Sequence, residues 1–124
     1  FESLQHGAIA AGYQIEIRTI ESDKITSFAD LEGCDGLLVP GGFGERGWEG
    51  KISAAQYCRE KKVPYFGICL GMQVLVVEFA RNVMKLAHAD STEMEPGTPA
   101  PIITLIQEQQ SVDGLGGTMR LGAY

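Results

Sequence analysis

Apolar positions along the chain switch between two spacings. Phe1, Leu4, Ala8 and Ile9 recur at helical intervals, and Gly12 follows as a C-cap. Ile15, Ile17 and Thr19 then alternate with Glu16 and Arg18, the period-two pattern of a half-buried strand. Ser27 is placed to N-cap a short turn running through Phe28 to Leu31. Residues 36–40, Gly-Leu-Leu-Val-Pro, are a short apolar run bounded by turn residues, which predicts a buried parallel strand. Beyond a glycine-rich stretch over residues 41–50, Ile52, Ala55 and Cys58 predict a helix ending at Lys61 and Lys62. Residues 63–68 predict the next buried strand. Residues 72–86 predict a long helix, apolar on most faces and therefore packed on a sheet. Residues 102–106 predict a further strand, and Gly116-Gly117 a turn.

This alternation predicts one domain over residues 1–124, of the α/β class, with a doubly wound, mostly parallel sheet and helices on both faces. A domain of this kind opens on a central strand, whereas this chain opens on a helix at Phe1. The first strand is therefore expected to be missing, as in part of a longer polypeptide.

Composition narrows the function classes. With 44% hydrophobic residues in 124, the chain can bury a core. A net charge of −6 and no basic run beyond two residues argue against nucleic acid or an anionic membrane surface as partner. The aliphatic run from Val74 to Val77 ends at Glu78, far too short to span a bilayer. Cys34, Cys58 and Cys69 show no Cys-x-x-Cys spacing, and His6 and His88 are the only histidines, so no metal site is expected. Sparse, odd-numbered cysteines suit a reducing, cytoplasmic setting.

The most informative residues are Gly67-Ile68-Cys69-Leu70-Gly71, at the junction of a predicted strand and a predicted helix. A nucleophile flanked by glycines at such a junction is held exposed on a sharp turn. The helix start behind it favours an anion, and the N–H of Leu70 can face a developing oxyanion. The competing reading is a buried structural cysteine, which the pentapeptide alone does not exclude. Cys34 among turn residues and Cys58 on a helix face lack this context and read as structural.

The stretch Gly41-Gly42-Phe43-Gly44-Glu45-Arg46-Gly47 contains a formal G-x-G-x-x-G match from Gly42 to Gly47. Dinucleotide binding is not expected from it. Glu45 would sit beside the pyrophosphate, and the next strand leads to Cys69 rather than to an acidic residue for the ribose. A backbone that approaches a ligand closely and offers N–H groups to an oxyanion is the better use of these glycines.

Taken together, Leu38-Val39-Pro40-Gly41-Gly42-Phe43-Gly44, Arg46-Gly47, Glu49-Gly50-Lys51 and Gly67-Ile68-Cys69-Leu70-Gly71-Met72-Gln73 resemble the class I glutamine amidotransferases. Glu78-Phe79-Ala80-Arg81-Asn82-Val83, Ser91-Thr92-Glu93 and Gly116-Gly117-Thr118-Met119-Arg120-Leu121-Gly122 are similar to the CTP synthase branch of that family. The likeness covers nearly the whole chain and implies the flavodoxin-like fold of these domains, with the C-terminal part missing.

The resemblance implies that Cys69 attacks the side-chain amide of glutamine and passes through a glutamyl thioester. It implies an oxyanion hole from the N–H groups of Gly42 or Phe43 and of Leu70, and substrate contacts from Gly42, Leu70, Gly71, Met72, Gln73 and Glu93. A carboxylate at Glu93 suits the α-ammonium of glutamine. Arg46, Gly47, Trp48, Glu49 and Gly50 match a lid loop between domains, where Trp48 is expected to make an interdomain contact rather than join the core. Arg120 matches a residue near the same interface. The ammonia is expected to reach a synthase domain of the same polypeptide, where Mg-ATP drives amination of UTP to CTP. GTP is expected as allosteric activator and a homo-oligomer, a tetramer, as the assembly, with no cofactor in this domain. The family's activating His-x-Glu pair and a substrate-gripping arginine fall beyond Tyr124, and neither His6 nor His88 matches them. The chain by itself is therefore expected to be a poor glutaminase. The alternative is a non-catalytic amidotransferase-like regulatory or interaction module.

Overall fold

Two parallel strand pairs carry the architecture of the computed structural model, which describes residues 1–105. β1 (Leu37–Val39) pairs with β2 (Tyr65–Gly67), setting Leu37 against Tyr65, Leu38 against Phe66 and Val39 against Gly67. Parallel neighbours need a crossover, and α2 (Trp48–Lys61) supplies it. α3 (Leu70–Asn82) leaves the end of β2 and leads to β3 (Ala89–Ser91), which pairs with β4 (Ala100–Ile103). The α/β class with parallel strands is thus as the sequence predicts. α1 (Glu2–Ala10) buries no residue.

The core is a seam between α2 and α3. Leu70, Val74 and Val77 lie at i, i+4 and i+7 on one stripe of α3 and meet Trp48, Ile52 and Ala55 of α2. Each large side chain sealed in this way contributes about 1.5–3 kcal/mol of burial. A second cluster, Leu31, Ala54, Tyr57 and Cys58, lies beneath the turn at Phe28–Leu31, where the Phe28 and Tyr57 rings meet edge to face at 5.5 Å. Across the α2–α3 seam, the fully buried Glu78 carboxylate receives Arg59 Nε at 2.9 Å and Asn82 Nδ2 at 3.1 Å.

Several local expectations are corrected. Residues 15–19 form no strand: among the described residues none pairs with them, and Arg18 instead donates to the carbonyls of Asp30 and Glu32 and to Cys34 Sγ. Alternation without a partner ladder yields only an extended segment. α3 ends at Asn82 rather than at residue 86, because Lys85 turns left-handed (φ 62°) and the N–H groups of Met84 and Leu86 fold back onto the carbonyls of Phe79 and Ala80. Only one stripe of α3 is buried; Met72, Leu75, Val76 and Phe79 stay exposed among the described residues. β3 was not foreseen, and β4 begins two residues earlier than its apolar run.

The largest correction concerns residues 46–50. Only Arg46 and Gly47 lie in a loop, since Trp48, Glu49 and Gly50 form the first turn of α2. Trp48 joins the core, against expectation: it is 5% exposed, with its indole N–H on Asp90 at 3.0 Å. Glu49 pairs with Arg81 at 2.9 Å, and a Cβ at Gly50 would collide with the carbonyl of Ser22. The predicted turn at Gly116-Gly117 and Arg120 lie outside the described residues. Among the described residues no helix is long and apolar enough to cross a membrane.

Candidate active site

Cys69 sits between the end of β2 and the first residue of α3, exposed, with φ 54° and ψ −108°. That backbone region is strained for any residue with a Cβ, by about 1–3 kcal/mol, and such strain concentrates at functional sites. Two hydrogen bonds hold the elbow. Ile68 N–H donates to the Val39 carbonyl at 3.0 Å, extending the β1–β2 ladder to its edge. Tyr65 donates its hydroxyl to the Gly71 carbonyl at 2.7 Å. Burial pushes the Tyr65 phenol well above its ordinary range, so the hydroxyl keeps the proton it donates.

Glycine is demanded on both flanks of Cys69. A Cβ at Gly67 would collide with the carbonyl of Gly71, and a Cβ at Gly71 with the carbonyl of Val39. The helix therefore approaches both strands more closely than any other residue permits. Gly71 also spends its N–H on the Ile68 carbonyl, so the structure gives this residue a packing role.

The loop after β1 lies against this elbow. The Cβ direction of Gly41 points to Cys69 Cβ at 3.4 Å, and that of Gly42 to Leu70 Cδ2 at 3.5 Å. Further along, Gly44 N–H donates to Glu93 Oε1 at 3.0 Å. Residues 41–44 thus have the Cys69 side chain at one end and an exposed carboxylate at the other. The N–H of Leu70, first in its helix, has no intrahelical acceptor. Phe43 is 71% exposed, and Met72 also faces outward. Gln73 Oε1 is buried and makes no hydrogen bond among the described residues.

Of the residues singled out in the sequence, the structure brings together Cys69, Leu70, Gly42 and Glu93 around one loop. It leaves Arg46 apart, exposed and paired loosely with Asp23 at 3.4 Å. Cys58 is buried, which together with the neighbouring Cys34 pushes its thiol up to about 11. Three residues were missed as site components: Tyr65, which braces the elbow, and Arg81 and Asp90, which brace the segment carrying Glu93. Arg81 and Asp90 fall in or beside the family-like motifs, but no periodicity marks them.

Known proteins resemble this chain along its length. The chain is 61% identical over 129 residues to the CTP synthase of Protochlamydia amoebophila (strain UWE25), covering 100% of this chain and 24% of that protein. It is 58% identical over 124 residues to the CTP synthase of Chlamydia felis (strain Fe/C-56), covering 100% of this chain and 23% of that protein. Among solved structures it is similar to the glutaminase domain of Trypanosoma brucei CTPS with bound acivicin, at TM-score 0.79 and 37% identity over 86% of this chain and 42% of that one. The chain therefore spans only 24% of the first of these relatives. Residues 1–124 match the family model of glutamine amidotransferase class-I, and the chain belongs to that family.

Proposed function

We propose that this chain is the glutaminase part of a CTP synthase, releasing ammonia from glutamine for the ATP-dependent amination of UTP to CTP. The observation that carries the reading is the strained, exposed Cys69 with the glycine loop against it and Glu93 at that loop's far end. Family membership and the high identity to CTP synthases support the substrate and the product.

In this reading Cys69 Sγ attacks the side-chain carboxamide carbon of glutamine, forming a sulfur–carbon bond and a tetrahedral oxyanion. The N–H of Leu70, with that of Gly42 or Phe43, stabilises the oxyanion; a single such donor is worth about 3 kcal/mol in comparable sites. Collapse breaks the carbon–nitrogen bond, and the proton given up by the thiol leaves with the nitrogen as ammonia. Water then cleaves the thioester, restoring the thiol and releasing glutamate. Glu93 would receive the α-ammonium, and the buried Gln73 oxygen, without a partner among the described residues, supports a second contact to a bound donor. Arg46 and Arg120 would face the synthase domain of the same polypeptide. Mg-ATP would act in that domain, GTP would act as allosteric activator, and the enzyme would work as a cytoplasmic homo-tetramer.

The test is to treat the complete enzyme with a glutamine-analogue diazo-ketone and locate the adduct by peptide mass spectrometry. One adduct on Cys69, with glutamine-dependent CTP formation lost in step, is expected. Acivicin, bound in the Trypanosoma brucei neighbour, serves as a second probe. An adduct on Cys34 or Cys58, or none, would overturn the site and favour a non-catalytic module.

A further inference from the structure

The segment that carries Glu93 has little backbone support of its own. β3 is three residues long, and its ladder to β4 breaks register between Asp90 and Ser91. Its central residue lies opposite Pro101, which has no N–H to donate. Short, irregular parallel pairing of this kind leaves the direction of the chain beyond Ser91 weakly specified.

Side chains supply what the ladder lacks. Asp90, 7% exposed, takes donors from three elements on one carboxylate. Trp48 Nε1 of α2 donates to Oδ1 at 3.0 Å, and Ser91 N–H of β3 donates to the same oxygen at 2.8 Å. Arg81 Nη2 of α3 donates to Oδ2 at 2.5 Å. The same guanidinium donates through Nε to the Ala89 carbonyl at 2.7 Å and through Nη1 to Glu49. Buried Ser91 then carries the next turn: its Oγ accepts Glu93 N–H at 3.2 Å, and its carbonyl accepts the N–H groups of Met94 and Glu95. Glu93 in turn reaches Gly44.

A continuous run of hydrogen bonds therefore leads from the α2–α3 seam to the carboxylate beside the glycine loop. We infer that Asp90, clamped by Arg81 and Trp48, is a positioning residue that aims Glu93 at the α-ammonium of the bound amino-acid substrate. This rests on the glutamine reading above, and Asp90 itself touches no substrate. A buried ion pair is a weak device for stability but a good one for fixing a unique geometry.

The experiment compares two reagents on Cys69 of the complete enzyme. The diazo-ketone must first be gripped by its amino-acid end before sulfur bonds to its carbon and dinitrogen leaves. Iodoacetamide has no such end and reports only thiol access. In Asp90→Asn, which keeps the shape but turns an amide toward Arg81, the half-saturating diazo-ketone concentration should rise about tenfold, the weight of one misdirected charge-assisted contact. Its limiting rate and the iodoacetamide rate should stay within about twofold. Trp48→Phe, which removes one donor to Asp90 and keeps a ring in the core, should shift the same constant in the same direction by less, and it carries the test if Asp90→Asn does not fold. An unchanged half-saturation constant, or equal loss with both reagents, would overturn the inference and leave Asp90 as structural only. A wild-type enzyme alkylated by iodoacetamide but not by the diazo-ketone would instead overturn the glutamine reading, and the aim of Glu93 with it.

Discussion

Gly44 and Glu93 stand 49 positions apart in sequence and are joined by a 3.0 Å hydrogen bond from the Gly44 N–H to Oε1 of the Glu93 carboxylate. Glu93 is exposed, so its carboxylate stays open to an ammonium group arriving from solvent. Glu93→Gln preserves an acceptor for Gly44 and removes the charge, so loop geometry and substrate attraction are separated. A charge-assisted contact is worth about 1.5–3 kcal/mol. The glutamine KM of Glu93→Gln should therefore rise about ten- to hundredfold with little change in kcat, measured by steady-state kinetics of the complete enzyme. An unchanged KM would remove Glu93 from the substrate.

Cys69 is held at φ 54° and ψ −108°, where glycine alone rests without strain. Cys69→Gly and Cys69→Ser should both abolish glutaminase chemistry and yet differ in stability. Serine keeps the strain. Glycine relieves it while raising the entropy of the unfolded chain, for a net gain of about 1 kcal/mol over serine. Denaturant melts of the two variants give the comparison. A glycine variant less stable than the serine one would mean that the elbow stores no strain.

The parts of the fold that could be read from the sequence are those whose cause is local. The stripe of Leu70, Val74 and Val77 announces α3, and the bounded apolar run at residues 37–39 announces β1, because each buries its own apolar face. β3 could not be read: Ala-Asp-Ser has no apolar run, and Asp90 can be buried only because Trp48, 42 positions away, and Arg81 satisfy it. Trp48 was misplaced for a related reason. Glycines at 47 and 50 read as loop, whereas Gly47 (φ 65°) and Gly50 let the start of α2 press against Ser22. The sharp turn at Cys69 was legible since its requirement for glycine at 67 and 71 is written in five consecutive residues. Its bracing by the Tyr65 hydroxyl was not, because a tyrosine in an apolar strand looks like any other core residue.

The turn before β1 is sensitive to pH through Asp30. The backbone N–H groups of Thr26 and Ser27, each 2.9 Å from Oδ2, hold its carboxyl below the ordinary carboxylate range. A carboxyl lowered in the folded chain contributes stability above its unfolded pKa and loses it as pH falls through its folded pKa. Asp30→Asn should melt below the wild type at neutral pH, and the gap should close under acid, once the wild-type carboxyl is protonated too. Thermal melts across an acid series test this, and a gap independent of pH would place the effect elsewhere.

Arg59 and Glu78 give an asymmetric pair. The Glu78 side chain is fully buried, while that of Arg59 is 33% exposed, with 2.8 Å between Nη2 and Oε1. Removing the cation strands a carboxylate with no access to water, since Asn82 offers only one further donor. Removing the carboxylate leaves a guanidinium that can still turn to solvent. Arg59→Met should therefore lower Tm by several degrees, and by more than Glu78→Leu, and Arg59→Met combined with Glu78→Leu should recover most of the loss by extending the apolar seam. The four melts of that double-mutant cycle decide the point. Additive losses would mean that the two charges do not depend on each other.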